Sequence, residues 1–228
     1  MTFHEFADTR QQAAALAEAM AATLKTHLSM HEKAVIAVSG GKSPVPVFEA
    51  LRKTDLDWSR VVVTLVDERW VPNDHAASNE ALVRQHLLQE NAAAATFVPM
   101  YNHAASAKAA EADLNTVFAD LPLPFALVVL GMGDDGHTAS LFPASPALDA
   151  GLVADAPLCL AQVGAVEPTE RMSLTLPAIL NAGRVFLQFA GEGKKAVFDL
   201  ASQQAEKRWP VSFVLAQSST PVEVFYAR

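Results

Sequence analysis

Apolar positions recur along this chain with two distinct periods. Between residues 9 and 29, Ala13, Leu16, Ala17, Met20, Leu24 and Leu28 fall at steps of three, four or whole turns. That spacing puts them on one face of a helix. Ala34-Val35-Ile36-Ala37-Val38 follows as an unbroken apolar run of strand length, closed by the turn signal Ser39-Gly40-Gly41. The stretch from Pro44 to Arg52 reads as helical, and Pro44 suits a first turn, where a missing N–H costs nothing. Val61 to Val66 is the next strand, nearly all β-branched or apolar. Ser78-Asn79-Glu80 opens a helix that runs to about Gln89, and residues 104–119 form an Ala-rich one. Phe125 to Leu130 is a third buried strand, ending in Gly131-Met132-Gly133. Later strands are expected at 158–163, 184–190 and 222–227, with a helix over about 193–205.

Continuous apolar strands, each followed by a helix, belong to parallel sheets buried on both sides. The expected fold is therefore α/β and Rossmann-like: a mainly parallel sheet with helices on both faces. No Gly/Ser/Pro-rich linker divides the chain, so residues 1–228 are read as a single domain. In such a sheet, ligands bind beyond the carboxyl ends of the strands, and candidate chemistry is sought there.

Composition narrows the partners. With 51% apolar residues the chain is not a disordered segment. Twenty-five acidic against 17 basic side chains give a net charge of -8, the wrong sign for a nucleic-acid footprint. A single cysteine, Cys159, excludes an internal disulfide framework and any multi-cysteine metal cluster. The first residues lack a basic and apolar leader, and no apolar run reaches the roughly 20 residues that span a bilayer. A cytoplasmic protein with no membrane partner is expected.

Three strand ends stand out. Ser39-Gly40-Gly41-Lys42-Ser43-Pro44 joins a strand to a helix; its glycines let the backbone approach a ligand, and its amides suit an anion. It matches neither the Walker A pattern nor the dinucleotide fingerprint, and an ordinary turn is the plainer alternative. Val66-Asp67-Glu68-Arg69-Trp70 sets three charges directly after an apolar strand, as either a solvated loop or a site where Asp67 or Glu68 meets hydroxyls and Arg69 an anion. Gly131-Met132-Gly133-Asp134-Asp135-Gly136-His137-Thr138 surrounds one histidine with glycines and carboxylates. His137 can take a proton near neutral pH, and Asp135 can fix its tautomer. The other histidines are read as lacking ligand spacing, so neither metal nor cofactor is expected.

These segments, in this order, resemble the 6-phosphogluconolactonase family, within the superfamily that also holds glucosamine-6-phosphate isomerase/deaminase. The resemblance covers nearly the whole chain. It rests on Asp67-Glu68-Arg69 with Val71-Pro72, Ser78-Asn79-Glu80, Gly131-Met132-Gly133, Asp135-Gly136-His137-Thr138-Ala139-Ser140-Leu141-Phe142-Pro143 and Arg171 with Leu174-Thr175-Leu176-Pro177. Gly191-Glu192-Gly193-Lys194 and Pro221-Val222-Glu223-Val224 complete it. One departure is Lys42-Ser43, where the family usually has Ser-Thr.

The resemblance implies hydrolysis of a phosphosugar lactone, 6-phospho-D-glucono-1,5-lactone, in the oxidative pentose phosphate pathway. It implies His137 as general base, Asp135 as its orienting partner and Asp67 as a third polar group. It places the phosphate on the amides of Gly40, Gly41 and Ser43, with Arg171 and Lys194 completing that site and Arg69 on either the phosphate or the carbonyl side. A monomer is expected, with an oligomer left open. Three alternatives are weighed. A deaminase-like enzyme would carry a carboxylate before the proline, where this chain has Phe142. A non-catalytic sugar-phosphate sensor would need an output segment that is not visible. A nucleotide-dependent oxidoreductase would need Gly-x-Gly-x-x-Gly after the first strand.

Overall fold

The computed structural model describes residues 1–228. Ten strands and eight helices alternate along the chain. The strands are β1 (Thr2–Phe6), β2 (Ala34–Val38), β3 (Val61–Leu65), β4 (Asp67–Arg69), β5 (Thr96–Phe97), β6 (Leu127–Gly131), β7 (Cys159–Val163), β8 (Glu170–Leu174), β9 (Val185–Ala190) and β10 (Val222–Ala227). The helices are α1 (Thr9–Leu28), α2 (Val45–Leu51), α3 (Asn79–His86), α4 (Ala107–Ala119), α5 (Leu148–Leu152), α6 (Leu176–Leu180), α7 (Glu192–Ala201) and α8 (Val211–Ala216).

Seven strands form one wholly parallel sheet in the order β1-β10-β9-β6-β2-β3-β5. Every residue of β2 and β3 is buried, as strands covered on both faces require. The chain marches one way through β1, β2, β3 and β5, then returns through β6, β9 and β10. Right-handed crossovers put the helices of the two marches on opposite faces. Accordingly α1 packs on α2 and α2 on α3, while α8 packs on α6 and α7. The direction reverses between β2 and β6, which are neighbours, and a crevice opens at their carboxyl ends.

Helix α1 shows how local sequence sets this arrangement. Asp8 caps it, its carboxylate accepting the N–H of Gln11 at 2.8 Å. All six apolar residues of the expected face are buried. Gln12 is buried as well, and its amide donates to the carbonyls of Phe189 and Phe225, both at 2.7 Å.

Several expectations are corrected. Residues 158–163 do form a strand, β7, but it belongs to a second sheet, β4-β8-β7, which is antiparallel. Asp67-Glu68-Arg69 is strand β4, not a loop; only Val66 separates it from β3, so one chain segment passes from the large sheet into the small one. The helix expected at 104–119 starts at Ala107, the one expected to reach Gln89 stops at His86, and that expected over 193–205 is Glu192–Ala201. The edge strand β1 was not foreseen, since Thr2-Phe3-His4-Glu5-Phe6 is too short and polar for a buried run. A continuous apolar core of 54 buried residues runs beneath both sheets. No helix is long and apolar enough to cross a membrane.

Candidate active site

The crevice between β2 and β6 deepens into a cavity of about 370 Å³. Ser39 fastens the two strand ends: its amide and hydroxyl donate to the carbonyl of Val129 at 3.0 and 2.9 Å, and its Oγ accepts the N–H of Gly131 at 3.1 Å. Beyond it the chain turns through Gly41, at φ 93°, a left-handed angle that favours glycine. The backbone N–H groups of Gly40, Gly41, Lys42 and Ser43 donate to no protein acceptor.

The opposite wall is the segment after β6. His137 Nδ1 lies 2.5 Å from Asp135 Oδ1, and the same oxygen accepts the His137 backbone N–H at 3.1 Å. A carboxylate can only accept, so Nδ1 carries a proton, and in the neutral ring Nε2 is the nitrogen with the free lone pair. Burial by itself would raise the Asp135 carboxyl, but the hydrogen bond and charge of His137 outweigh it and hold the group below its ordinary value. The packing here is close: a Cβ at Gly133 would stand 2.1 Å from His137 Nδ1. Gly136, at φ 72°, lies against Trp209, whose neighbour Val211 donates its N–H to the Gly136 carbonyl. Phe142 is buried against the His137 ring, with centroids 4.2 Å apart, and Arg171 Cζ lies 5.9 Å from the Phe142 ring.

The small sheet closes the third side. Asp67 is buried, and its Oδ2 accepts the Ser140 hydroxyl at 2.6 Å. Arg69 and Arg171 are directly opposed across β4 and β8, an arrangement that like charges disfavour unless an anion or carboxylate intervenes. Burial, then the charge of Arg69, lowers the Arg171 guanidinium; Asp67 and Glu68 act the other way. Arg171 spends Nε on the carbonyl of Pro168 at 2.7 Å and Nη2 on that of Val166 at 3.2 Å. Arg69 donates Nη1 to the carbonyl of Ala77 at 2.5 Å, while its buried Nε has no partner. From α7, Lys194 Nζ reaches the carbonyl of Met132 at 2.7 Å.

Eight of the nine expected site residues therefore line one cavity: Gly40, Gly41, Ser43, Asp67, Arg69, His137, Arg171 and Lys194. Asp135 stands behind His137, outside the lining. Sequence reasoning assigned no role to Asn79, Ser140, Phe189 or Gln188. Asn79 and Ser140 were visible only as parts of motifs, and Gln188 lies inside a strand read as plain core. Lys42, whose role the sequence left open, lines the cavity and is exposed.

Two residues outside the cavity correct the reading of the histidines. His27 and His31 are four apart, a ligand-like spacing that the expectation of no metal passed over. Their rings stack at 4.1 Å. No group of three or more His, Cys, Asp or Glu side chains is placed to hold an ion. Cys159 is buried, and burial, aided by the charge of Glu111, pushes its thiol up to about 12, which leaves it inert as a nucleophile.

The molecule is thus an α/β protein with a doubly wound parallel sheet, at whose switch point a carboxylate–histidine pair and clustered cations line one cavity. The family described as glucosamine-6-phosphate isomerases/6-phosphogluconolactonase matches residues 7–223. A 6-phosphogluconolactonase of Neisseria meningitidis is 42% identical over 99% of this chain and 98% of its own. One from Pseudomonas aeruginosa is 46% identical over 88% and 85%. The crystal structure of a 6-phosphogluconolactonase from Shewanella baltica superposes with a TM-score of 0.95 at 38% identity, covering 100% of this chain and 98% of that one. The chain belongs to the glucosamine-6-phosphate isomerase/6-phosphogluconolactonase family.

Proposed function

We propose that this chain, acting as one domain over residues 1–228, hydrolyses 6-phospho-D-glucono-1,5-lactone to 6-phospho-D-gluconate. This is the second step of the oxidative pentose phosphate pathway. The observation that carries the reading is a single cavity with an oriented His137–Asp135 pair on one wall and cations with free amides on the others. Full-length similarity to proteins named 6-phosphogluconolactonase supports it.

The lactone is an activated ester, so the protein needs only a positioned water, a base and donors for the carbonyl oxygen. His137 Nε2 takes a proton from water as the water oxygen attacks C1. The carbonyl electrons move onto oxygen, and a tetrahedral intermediate forms. As that intermediate collapses, the bond from C1 to the ring oxygen breaks and the imidazolium returns its proton to that oxygen. Asp135 keeps Nδ1 protonated throughout and balances the transient charge on the ring. Asp67, fixed by Ser140, receives sugar hydroxyls. The phosphate rests on the amides of Gly40, Gly41 and Ser43, with Arg171 and Lys194. Arg69, facing Arg171 across the strands, adds its charge to the same end. No step calls for a metal or cofactor. The protein is read as a cytoplasmic monomer that engages neither nucleic acid nor membrane.

The test is proton release from freshly generated 6-phosphogluconolactone, measured above the spontaneous rate. Fast release, with no ammonia formed from glucosamine 6-phosphate, is expected. A rate equal to the background, or ammonia release that rivals lactone loss, would refute the assignment. Phe142 motivates the second arm, since an apolar ring stands where the deaminase pattern has a carboxylate.

A further inference from the structure

Asn79 is the first residue of α3, and its side chain is 2% exposed. Its Nδ2 donates to the carbonyl of Asp67 at 2.8 Å, whereas its Oδ1 is buried with no hydrogen-bond partner. That oxygen is pressed on Gly40. A Cβ at Gly40 would stand 1.9 Å from Asn79 Oδ1, 2.2 Å from Cγ and 2.8 Å from Nδ2. One carboxamide thus touches both strand ends that face the cavity, the loop after β2 and the start of β4.

The backbone of Asn79 is itself held. Glu68 is fully buried, and its Oε1 accepts the N–H of Asn79 and of Arg69, both at 2.7 Å. Its Oε2 accepts the N–H of Glu80 at 2.8 Å and the hydroxyl of Ser78 at 3.0 Å. No cation pairs with this carboxylate, so its four donors are what make its burial tolerable. The hydroxyl of Ser78 also caps α3 through the N–H of Ala81. Glu68 therefore welds the start of α3 to the strand that carries Asp67 and Arg69, and the weld fixes where the Asn79 carboxamide lies.

We propose that Asn79, held in place by Glu68, is a positioning residue that sets the spacing between the anion loop at residues 40–43 and the Asp67–Arg69 strand. It acts on the seating of the phosphorylated end and leaves proton transfer at His137 alone. This rests on the reading of residues 40–43 as the phosphate loop. It also explains why position 40 is glycine. The backbone angle there is not left-handed, and the three atoms nearest an added Cβ all belong to the Asn79 side chain. The pair is a lock whose two halves are small at one position and planar at the other.

A double-mutant cycle tests it with Gly40→Ala, Asn79→Ala and the combined variant. Turnover of 6-phosphogluconolactone is measured together with calorimetric binding of 6-phosphogluconate and of inorganic phosphate. Asn79→Ala should weaken 6-phosphogluconate binding and raise KM about tenfold, with kcat within about threefold of wild type. Gly40→Ala should lose on the order of a hundredfold in kcat/KM, and the combined variant should regain at least about fivefold over it, because the added Cβ then has room. Losses that simply multiply, or a fall in kcat with KM and binding unchanged, would overturn the proposal. If Gly40→Ala does not fold, the combined variant must fold, and its failure counts equally against the lock. Wild type that binds 6-phosphogluconate without turning over the lactone would defeat the lactonase assignment, while the cycle would still be read by binding. Absence of binding to either probe would defeat both.

Discussion

At the scale of single residues, the site is built from contacts of two kinds. The His137–Asp135 pair is local, two residues apart, and its segment was legible because glycines and carboxylates crowd around one histidine. Asp67 and Ser140 are 73 residues apart, and nothing in either neighbourhood announces the bond between them. His137→Ala should fold and lose roughly 10²–10⁴-fold in turnover, the usual worth of a general base. A variant that keeps more than about a third of wild-type activity would remove His137 from that role. Asp135 yields a second expectation with a defined sign. Its carboxyl is held below the ordinary value in the folded protein, so its contribution to stability is present above the ordinary carboxylate range. That contribution is lost as pH falls through the lowered folded value. Thermal midpoints of wild type and Asp135→Asn should therefore converge on acidification; a gap that widens would contradict the pairing.

Among the elements, the helix face of α1 and the runs of β2, β3, β9 and β10 could be read directly, because burial on one or both sides leaves a regular apolar pattern. Strand β4 could not. Its three residues are all charged, and its strand character comes from pairing with β8, more than a hundred residues later, where Asp67 meets Ser173. Tertiary pairing overrides local propensity there. Glu68 is the price of putting charge in such a place. Burial pushes its carboxyl up, and the N–H groups of Asn79, Glu80 and Arg69 with the Ser78 hydroxyl pull it back. Glu68→Gln replaces one acceptor oxygen by an amide that faces two donors. It should destabilise the protein by about 2–3 kcal/mol, read as a lower urea midpoint with an unchanged slope. An unaltered midpoint would mean that α3 is anchored by its apolar face alone.

Taken whole, the molecule is acidic, at -8, yet its cavity gathers Lys42, Arg69, Arg171 and Lys194 against Asp67 and Asp134. An acidic exterior repels anionic ligands at long range, so selectivity must come from short contacts inside. The phosphorylated lactone should be much preferred to plain gluconolactone. Charge-assisted hydrogen bonds are worth about 1.5–3 kcal/mol, roughly ten- to a hundredfold each. Arg171→Ala should weaken handling of the phosphorylated lactone by about that factor and leave the plain lactone nearly untouched. Equal losses on both, measured as kcat/KM, would place Arg171 outside the phosphate site.

The passage from β3 into β4 across the single residue Val66 has a further consequence. One side of the cavity wall, Asp67, Arg69 and Arg171, hangs on a three-stranded sheet, and most of the rest on the seven-stranded one and the loops that follow its strands. Sheets of few strands open more readily than a deep parallel core, and their amides exchange with solvent through openings well below the global unfolding free energy. Amide hydrogens of β7 and β8 should thus exchange deuterium faster than those of β2 and β6 in the free protein. On the proposed phosphate site, a ligand that contacts Arg171 on one side and Gly40 on the other would hold the small sheet against the large one. At a hundred times its dissociation constant, 6-phosphogluconate should slow the β8 amides by about a hundredfold, matching roughly 2.7 kcal/mol of linked binding, with little change in β2. Exchange that slows uniformly would show that the two sheets already open together, and the protein would then have no hinge through which substrate could be felt.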